Sequence, residues 1–500
     1  MTTHDGDALK LKRVPTGIGG LDRILSGGLL GGGVYIIEGT PGTGKTILAN
    51  QICFNHVAAG GRVAFVTVLA ESHTRMLQHL QPMTFYREEA IPDRLYYVSG
   101  FRILENEGLK GVVDLLRREI KGHHATLLVL DGFATTEESA SSPREFKKFV
   151  HEVQSHAAAL ECTILLLTNG SERTVSPEYT MVDGMIRLED TLFEQRTERT
   201  LQVSKFRGSD FLPGRHPFRI TSRGLEIFPR VEVAFAVPSV RDDYAPRRQS
   251  TGIATLDEIL GGGLLAETSN GLYGPTGIGK TTLGLQYVAQ SSAAEPGTFY
   301  GFFESPERLR VRAQTLGIDM RGLERRGAVE LIWCPQGEHI LDELGHRMIE
   351  AVGRRGVKRL FIDGYGALVE SATTPGRMTR FVSTLSNELR AMKATVIMSM
   401  ESRNVLGTAT ELPSKGLSSL LEGLILMRYT ELEGRMRRIV SVTKIRDSGF
   451  DPRLREFEIT PRGIEIGEPI HGVEAALSGF AHEPGAVRAE DRPQGRHQEE

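Results

Sequence analysis

Gly39-Thr40-Pro41-Gly42-Thr43-Gly44-Lys45-Thr46 and Gly274-Pro275-Thr276-Gly277-Ile278-Gly279-Lys280-Thr281 are two GxxxxGK(S/T) loops in one chain, 274 − 39 = 235 residues apart. The glycines let consecutive backbone N–H groups converge on phosphate oxygens, the lysine reaches the outer phosphates, and the final hydroxyl faces a magnesium ion. Each loop follows a short apolar run, Val34–Glu38 or Asn270–Tyr273, and precedes a helical pattern that adds a favourable dipole for an anion. A chain with this arrangement binds a nucleoside triphosphate twice and calls for a strand–loop–helix unit at each site.

The duplication extends well beyond the loops. Thr16-Gly17-Ile18-Gly19-Gly20-Leu21-Asp22 recurs as Thr251-Gly252-Ile253-Ala254-Thr255-Leu256-Asp257 at the same offset, 251 − 16 = 235. The apolar strand ending in Asp131 recurs as the one ending in Asp363, at 363 − 131 = 232. A helical face of Phe146, Phe149, Val150, Val153, Ala157 and Leu160 answers to Met378, Phe381, Val382, Leu385, Leu389 and Met392. Near each end, Phe218–Ile227 matches Phe457–Ile466. Each copy is therefore a whole domain rather than a short solenoid repeat.

Strand-like runs at 34–38, 63–68, 127–130 and 163–167 alternate with helical stretches at 45–58, 109–121 and 144–160. The alternation predicts two tandem α/β domains, each a mostly parallel sheet with helices on both faces and its ligand at the carboxyl ends of the strands. The boundaries expected are 1–236, 237–467 and a disordered polar tail at 468–500. A linker is read at about 231–249 from Pro238, Pro246 and Arg241-Asp242-Asp243.

Composition narrows the function. With 25% charged and 40% hydrophobic residues the profile is globular, and a net charge of −3 supplies no broad attraction for nucleic acid or an anionic membrane. The polar N-terminus and strand-sized apolar runs lead to an expectation of cytoplasmic residence with no membrane span. Cys53, Cys162 and Cys334 lack CxxC spacing, so neither a disulfide framework nor a structural zinc is expected; His123 and His124 read as loop residues.

The TGIxxLD segment, the loop some twenty residues after it, the aspartate-tipped strand and Lys205-Phe206-Arg207-Gly208 near the domain end together resemble the RecA-like ATPases of the KaiC type, across about residues 10–467 in tandem. The resemblance implies ATP and Mg²⁺ as cofactors, with slow hydrolysis in a homo-hexameric ring that holds nucleotide between neighbours. It also implies signalling-protein partners and, as in the circadian-clock member, autophosphorylation in the second domain. Carried across by position, Lys45 and Lys280 hold the outer phosphates and Thr46 and Thr281 the magnesium, which Asp131 and Asp363 orient. Glu71 and Glu304 take the place of the catalytic base. The clock protein has paired glutamates there, whereas Ala70 and Phe303 replace the neighbour here; the same residues also read as acids opening a helix.

Lys205 and Arg207, with Lys444 and Arg446, match the pair that reaches a neighbouring subunit's triphosphate, although an alternating Lys-x-Arg also protects a strand edge. Asp447 follows Arg446 where Gly208 follows Arg207. Ser418 and Ser419 match the clock protein's phosphoacceptors and also read as turn residues; Tyr179 and Thr180 stand at the corresponding place in the first copy. A DNA-dependent ATPase of the RecA or RadA kind is the alternative reading, since one scaffold serves several functions.

Overall fold

A computed structural model describes residues 12–70, 73–169, 180–237, 246–402, 416–432 and 434–470. The chain divides into two compact units, Met1–Ala236 and Val237–Glu500.

In the first unit nine strands form one sheet, in the order Leu95–Ser99, Val63–Thr67, Leu127–Asp131, Thr163–Thr168, Val34–Gly39, Gly184–Phe193, Arg196–Phe206, Arg215–Thr221 and Gly224–Ile227. From Leu95–Ser99 through Gly184–Phe193 neighbouring strands run parallel, and the last three are added antiparallel. The second unit repeats this order strand for strand, from Val329–Trp333 at one edge, through the central Ser269–Gly274, to Gly463–Pro469 at the other. Both are the mostly parallel, helix-flanked sheets that the βα alternation predicts.

The central strands read as unbroken apolar runs because both of their faces are covered. Along Val34–Gly39 the side chains alternate between two cores: Tyr35 and Ile37 pack on the side of the loop helix Lys45–Ala58, and Val34 and Ile36 on the side of the helix Pro143–Ala159. Phe65 and Val129 join the first core, Ala64 and Leu128 the second. The repeated helical face is buried as its spacing requires, from Phe146 to Ala157 and from Met378 to Leu389; Leu160 and Met392 are the C-cap residues and only half-buried.

Three boundaries differ from the sequence reading. The helix expected at 109–121 runs from Phe101 to His123, because helical backbone resumes ahead of Gly108, whose φ of 66° interrupts it. Both ends of the stretch read as a linker are ordered: Val231–Ala234 is a short helix with Val231 fully buried, and Arg248–Gln249 pairs with Leu264–Leu265. The last strand runs to Pro469, two residues past 467, because it pairs with Arg455–Thr460. The tail from 471 onward lies outside the described residues, as does the linker core at 238–245. Among the described residues no helix is long and apolar enough to cross a membrane.

Candidate functional site

Each loop joins the carboxyl end of a central strand to a helix, and the two are built alike. Gly39 and Gly274 end their strands where a Cβ would collide with a neighbouring backbone carbonyl, that of Leu188 at 2.6 Å and that of Met427 at 2.4 Å. Gly44 (φ 101°) and Gly279 (φ 124°) immediately precede the helices, and no side chain caps either helix. The first-turn N–H groups are thereby left for an anion, the arrangement through which helix N-termini hold phosphate.

Lys45 Nζ donates to the carbonyls of Gly39 (2.6 Å) and Thr40 (3.0 Å), and Lys280 Nζ to those of Gly274 (2.7 Å) and Pro275 (2.8 Å). Both ammonium groups are folded over their own loops. Burial lowers the pKa of each; Asp131 opposes the drop at Lys45, and Glu401 and Asp363 oppose it at Lys280.

The strand-end aspartates stand in different surroundings. Asp363 Oδ2 accepts from Thr281 Oγ1 at 2.9 Å and Oδ1 from Ser399 Oγ at 2.7 Å, while Ser399 Oγ accepts from the Gly364 N–H at 2.9 Å. Leu167 stands beside Asp131 at the register position that Ser399 holds beside Asp363. At that register position the first copy offers an apolar side chain where the second has the serine hydroxyl.

Glu304 is a carboxylate whose side chain is 21% exposed and forms an ion pair with Arg312, at 3.0 Å. Glu71 lies outside the described residues.

Lys205 and Arg207 do not face their own loop. Lys205 is opposite Met185, three residues before Leu188, which pairs with Gly39; at about 3.3 Å per residue this is about 10 Å back along the sheet. Lys444, opposite Leu424 while Leu426 pairs with Tyr273, is set back in the same way. The second pair grips the two positions read as phosphoacceptors, and the first pair grips the corresponding place in the first copy. Lys205 Nζ donates to the Thr180 carbonyl (2.7 Å) and Arg207 to those of Thr180 (2.6 Å) and Met181 (3.2 Å). Lys444 Nζ donates to Ser418 O and Arg446 to Ser419 O, both at 2.5 Å. Ser418 and Ser419 are exposed on the short helix Leu417–Leu420, and Ser419 Oγ donates to the Gly416 carbonyl at 2.6 Å.

The structure also gives the repeated flanking segments a purpose that the sequence did not. Asp22 accepts from the N–H and hydroxyl of buried Thr16, and Asp257 from those of Thr251, so TGIxxLD is a self-bonded turn. Gln51 and Gln286, buried on the loop helices, accept from the N–H groups of Leu225 (2.8 Å) and Ile464 (2.9 Å), which docks each domain's final hairpin on the helix that begins with the loop lysine. The one signal for this was that both glutamines sit at the repeat offset, 286 − 51 = 235.

Strand, glycine loop, uncapped helix and strand-end aspartate, present twice on sheets of the same order, define a tandem RecA-like P-loop ATPase. The chain belongs to the KaiC ATPase family: the family model described as "ATPase: KaiC" matches residues 14–232 and again 249–471. The circadian clock oscillator protein KaiC of a Picosynechococcus species is 24% identical over 96% of this chain and 94% of its own length. The KaiC of Thermosynechococcus vestitus is 25% identical over 94% of this chain and 92% of its own.

Proposed function

We propose that each chain binds and hydrolyses Mg-ATP at both loops, assembles into a homo-hexameric ring, and passes phosphate to Ser418 or Ser419 in the second domain. The observation that carries this reading is the duplicated loop geometry, with Lys45 and Lys280 each hydrogen-bonded to their own loop carbonyls above an uncapped helix. A triphosphate replaces those carbonyls as the lysine's partner and takes up the free N–H groups.

Thr281 and Asp363 fit Mg²⁺, which takes one or two protein oxygens and completes its shell with phosphate and water; Thr46 and Asp131 fill the same positions in the first domain. Bound there, the ion neutralises charge on the outer phosphates. Glu71 and Glu304 are the family's candidates for orienting the attacking water.

Placement of Lys205, Arg207, Lys444 and Arg446 about 10 Å back from their own loops supports a role toward a neighbour's triphosphate, where a cation offsets the charge of the transferred phosphoryl group. Ser418 and Ser419 are set back with them, which favours transfer between subunits over transfer within one. A net charge of −3 and a family model described as KaiC over both halves give the DNA-motor reading no support. Protein partners in signalling and a cytoplasmic location complete the proposal.

Peptide mapping after incubation with Mg-ATP, with native mass on the same sample, tests it. Phosphate on Ser418 or Ser419 in a six-subunit species is the expected result. Phosphate release from a monomer with both serines unmodified reduces the protein to an ATPase without assembly or kinase activity.

A further inference from the structure

Glu401 ends the strand Thr395–Glu401 and lies against the second loop, a contact that no sequence motif announces. Its carboxylate accepts a hydrogen bond from Thr276, the third residue of the loop, and its charge acts on Lys280 more strongly than that of Asp363. Ser399, two residues earlier and so on the same face of the strand, holds Asp363. Because the loop lysine serves the outer phosphates, a carboxylate that is bonded to the loop's third residue and whose charge acts on Lys280 stands at the outer-phosphate end of the site. Glu401 is exposed and open to water. Glu304, by contrast, is held in its ion pair with Arg312. In the first copy Asn169 takes the equivalent place, 401 − 232 = 169, and an amide cannot serve as a base at neutral pH.

Resting on the reading that the second site hydrolyses ATP, we propose that Glu401 is the general base of that site. Its carboxylate removes a proton from a water molecule as the water oxygen bonds to the γ-phosphorus. The bond from that phosphorus to the bridging oxygen breaks and its electron pair leaves with ADP; the proton then passes from Glu401 to solvent. Filling the loop with phosphate displaces Thr276 from the carboxylate and frees it for this step.

The test uses the full chain with Lys45→Ala, which leaves the second site as the source of turnover. Single-turnover hydrolysis, its pH profile and nucleotide affinity are compared for added Glu401→Gln, Glu401→Asp and Glu304→Gln. Glu401→Gln should slow hydrolysis by about 10²–10⁴-fold, the usual worth of a general base, with nucleotide affinity retained. It should also abolish the fall in rate on the acid side, while Glu401→Asp recovers part of the rate and Glu304→Gln has the smaller effect. Hydrolysis by Glu401→Gln at the parental rate overturns the proposal, as does a loss of rate matched by an equal loss of affinity, which makes Glu401 a brace for the loop. If the Lys45→Ala parent binds ATP without turning it over, second-site hydrolysis itself is refuted; if the parent turns over and Glu401→Gln does so equally, the role of Glu401 alone is refuted.

Discussion

Gly44 and Gly279 hold backbone conformations that other residues avoid, at φ of 101° and 124°. An alanine Cβ at Gly44 would also come within 2.8 Å of Ile220 Cδ1, and one at Gly279 within 3.0 Å of Ile459 Cδ1. Left-handed backbone costs an L-residue about 1–2 kcal/mol, and about 1.4 kcal/mol is tenfold in affinity, so Gly44→Ala and Gly279→Ala should each weaken nucleotide binding at their own loop by about tenfold or more. Titration with a fluorescent ATP analogue reads this directly. Beside the first loop, buried Glu38 is paired with Arg187 at 3.1 Å, where the second copy has Tyr273 and Leu426. Arg187→Leu strands a buried carboxylate; because the arginine is 44% exposed, the cost should fall below the usual figure for a buried pair, at about 2 kcal/mol. Adding Glu38→Tyr, which transplants the second copy's pair, should restore most of that stability in a urea titration.

Between the elements, the two copies solve one packing problem differently. Gly284 on the loop helix Lys280–Ala289 faces Phe361 on the strand Arg359–Asp363, and an added Cβ would sit 2.4 Å from the ring. The first copy has Ala49 and Val129 at the repeat offsets, 284 − 235 = 49 and 361 − 232 = 129, both fully buried. Gly284→Ala alone should therefore overpack the core and cost about 1–3 kcal/mol, while also displacing the helix that begins with Lys280. Gly284→Ala with Phe361→Val should recover both stability and nucleotide affinity; failure of the pair to recover would show that the two copies do not pack equivalently. The sequence already made this level legible, because a fully covered parallel sheet writes itself as apolar runs such as Val34–Ile37 and a covered helix as the spacing of Phe146, Phe149, Val150 and Val153. What it hid were contacts set by tertiary placement. Nothing in Phe303-Glu304-Ser305 tells that Arg312 will engage Glu304, and nothing in Met400-Glu401-Ser402 tells that the strand will deliver Glu401 to Thr276. The loops were legible for the opposite reason: their function is carried by the local backbone, and glycines at fixed spacing specify it.

At the scale of the whole molecule, two units of one strand order each carry a complete loop and its strand-end aspartate, so neither copy is a remnant lacking the phosphate-binding parts. The copies are nonetheless unequal. Ser399 braces Asp363 and Glu401 is bonded to Thr276 of the loop in the second, where the first has Leu167 and Asn169. The proposed function therefore has nucleotide bound in both units and chemistry of different character in each. Its most direct test is the number of ATP molecules bound per chain, counted by calorimetry or native mass with Mg²⁺ present. The prediction is two for the native protein, one for Lys45→Ala, one for Lys280→Ala and none for the double variant. A count of one in the native protein, or occupancy unchanged in the double variant, would contradict it.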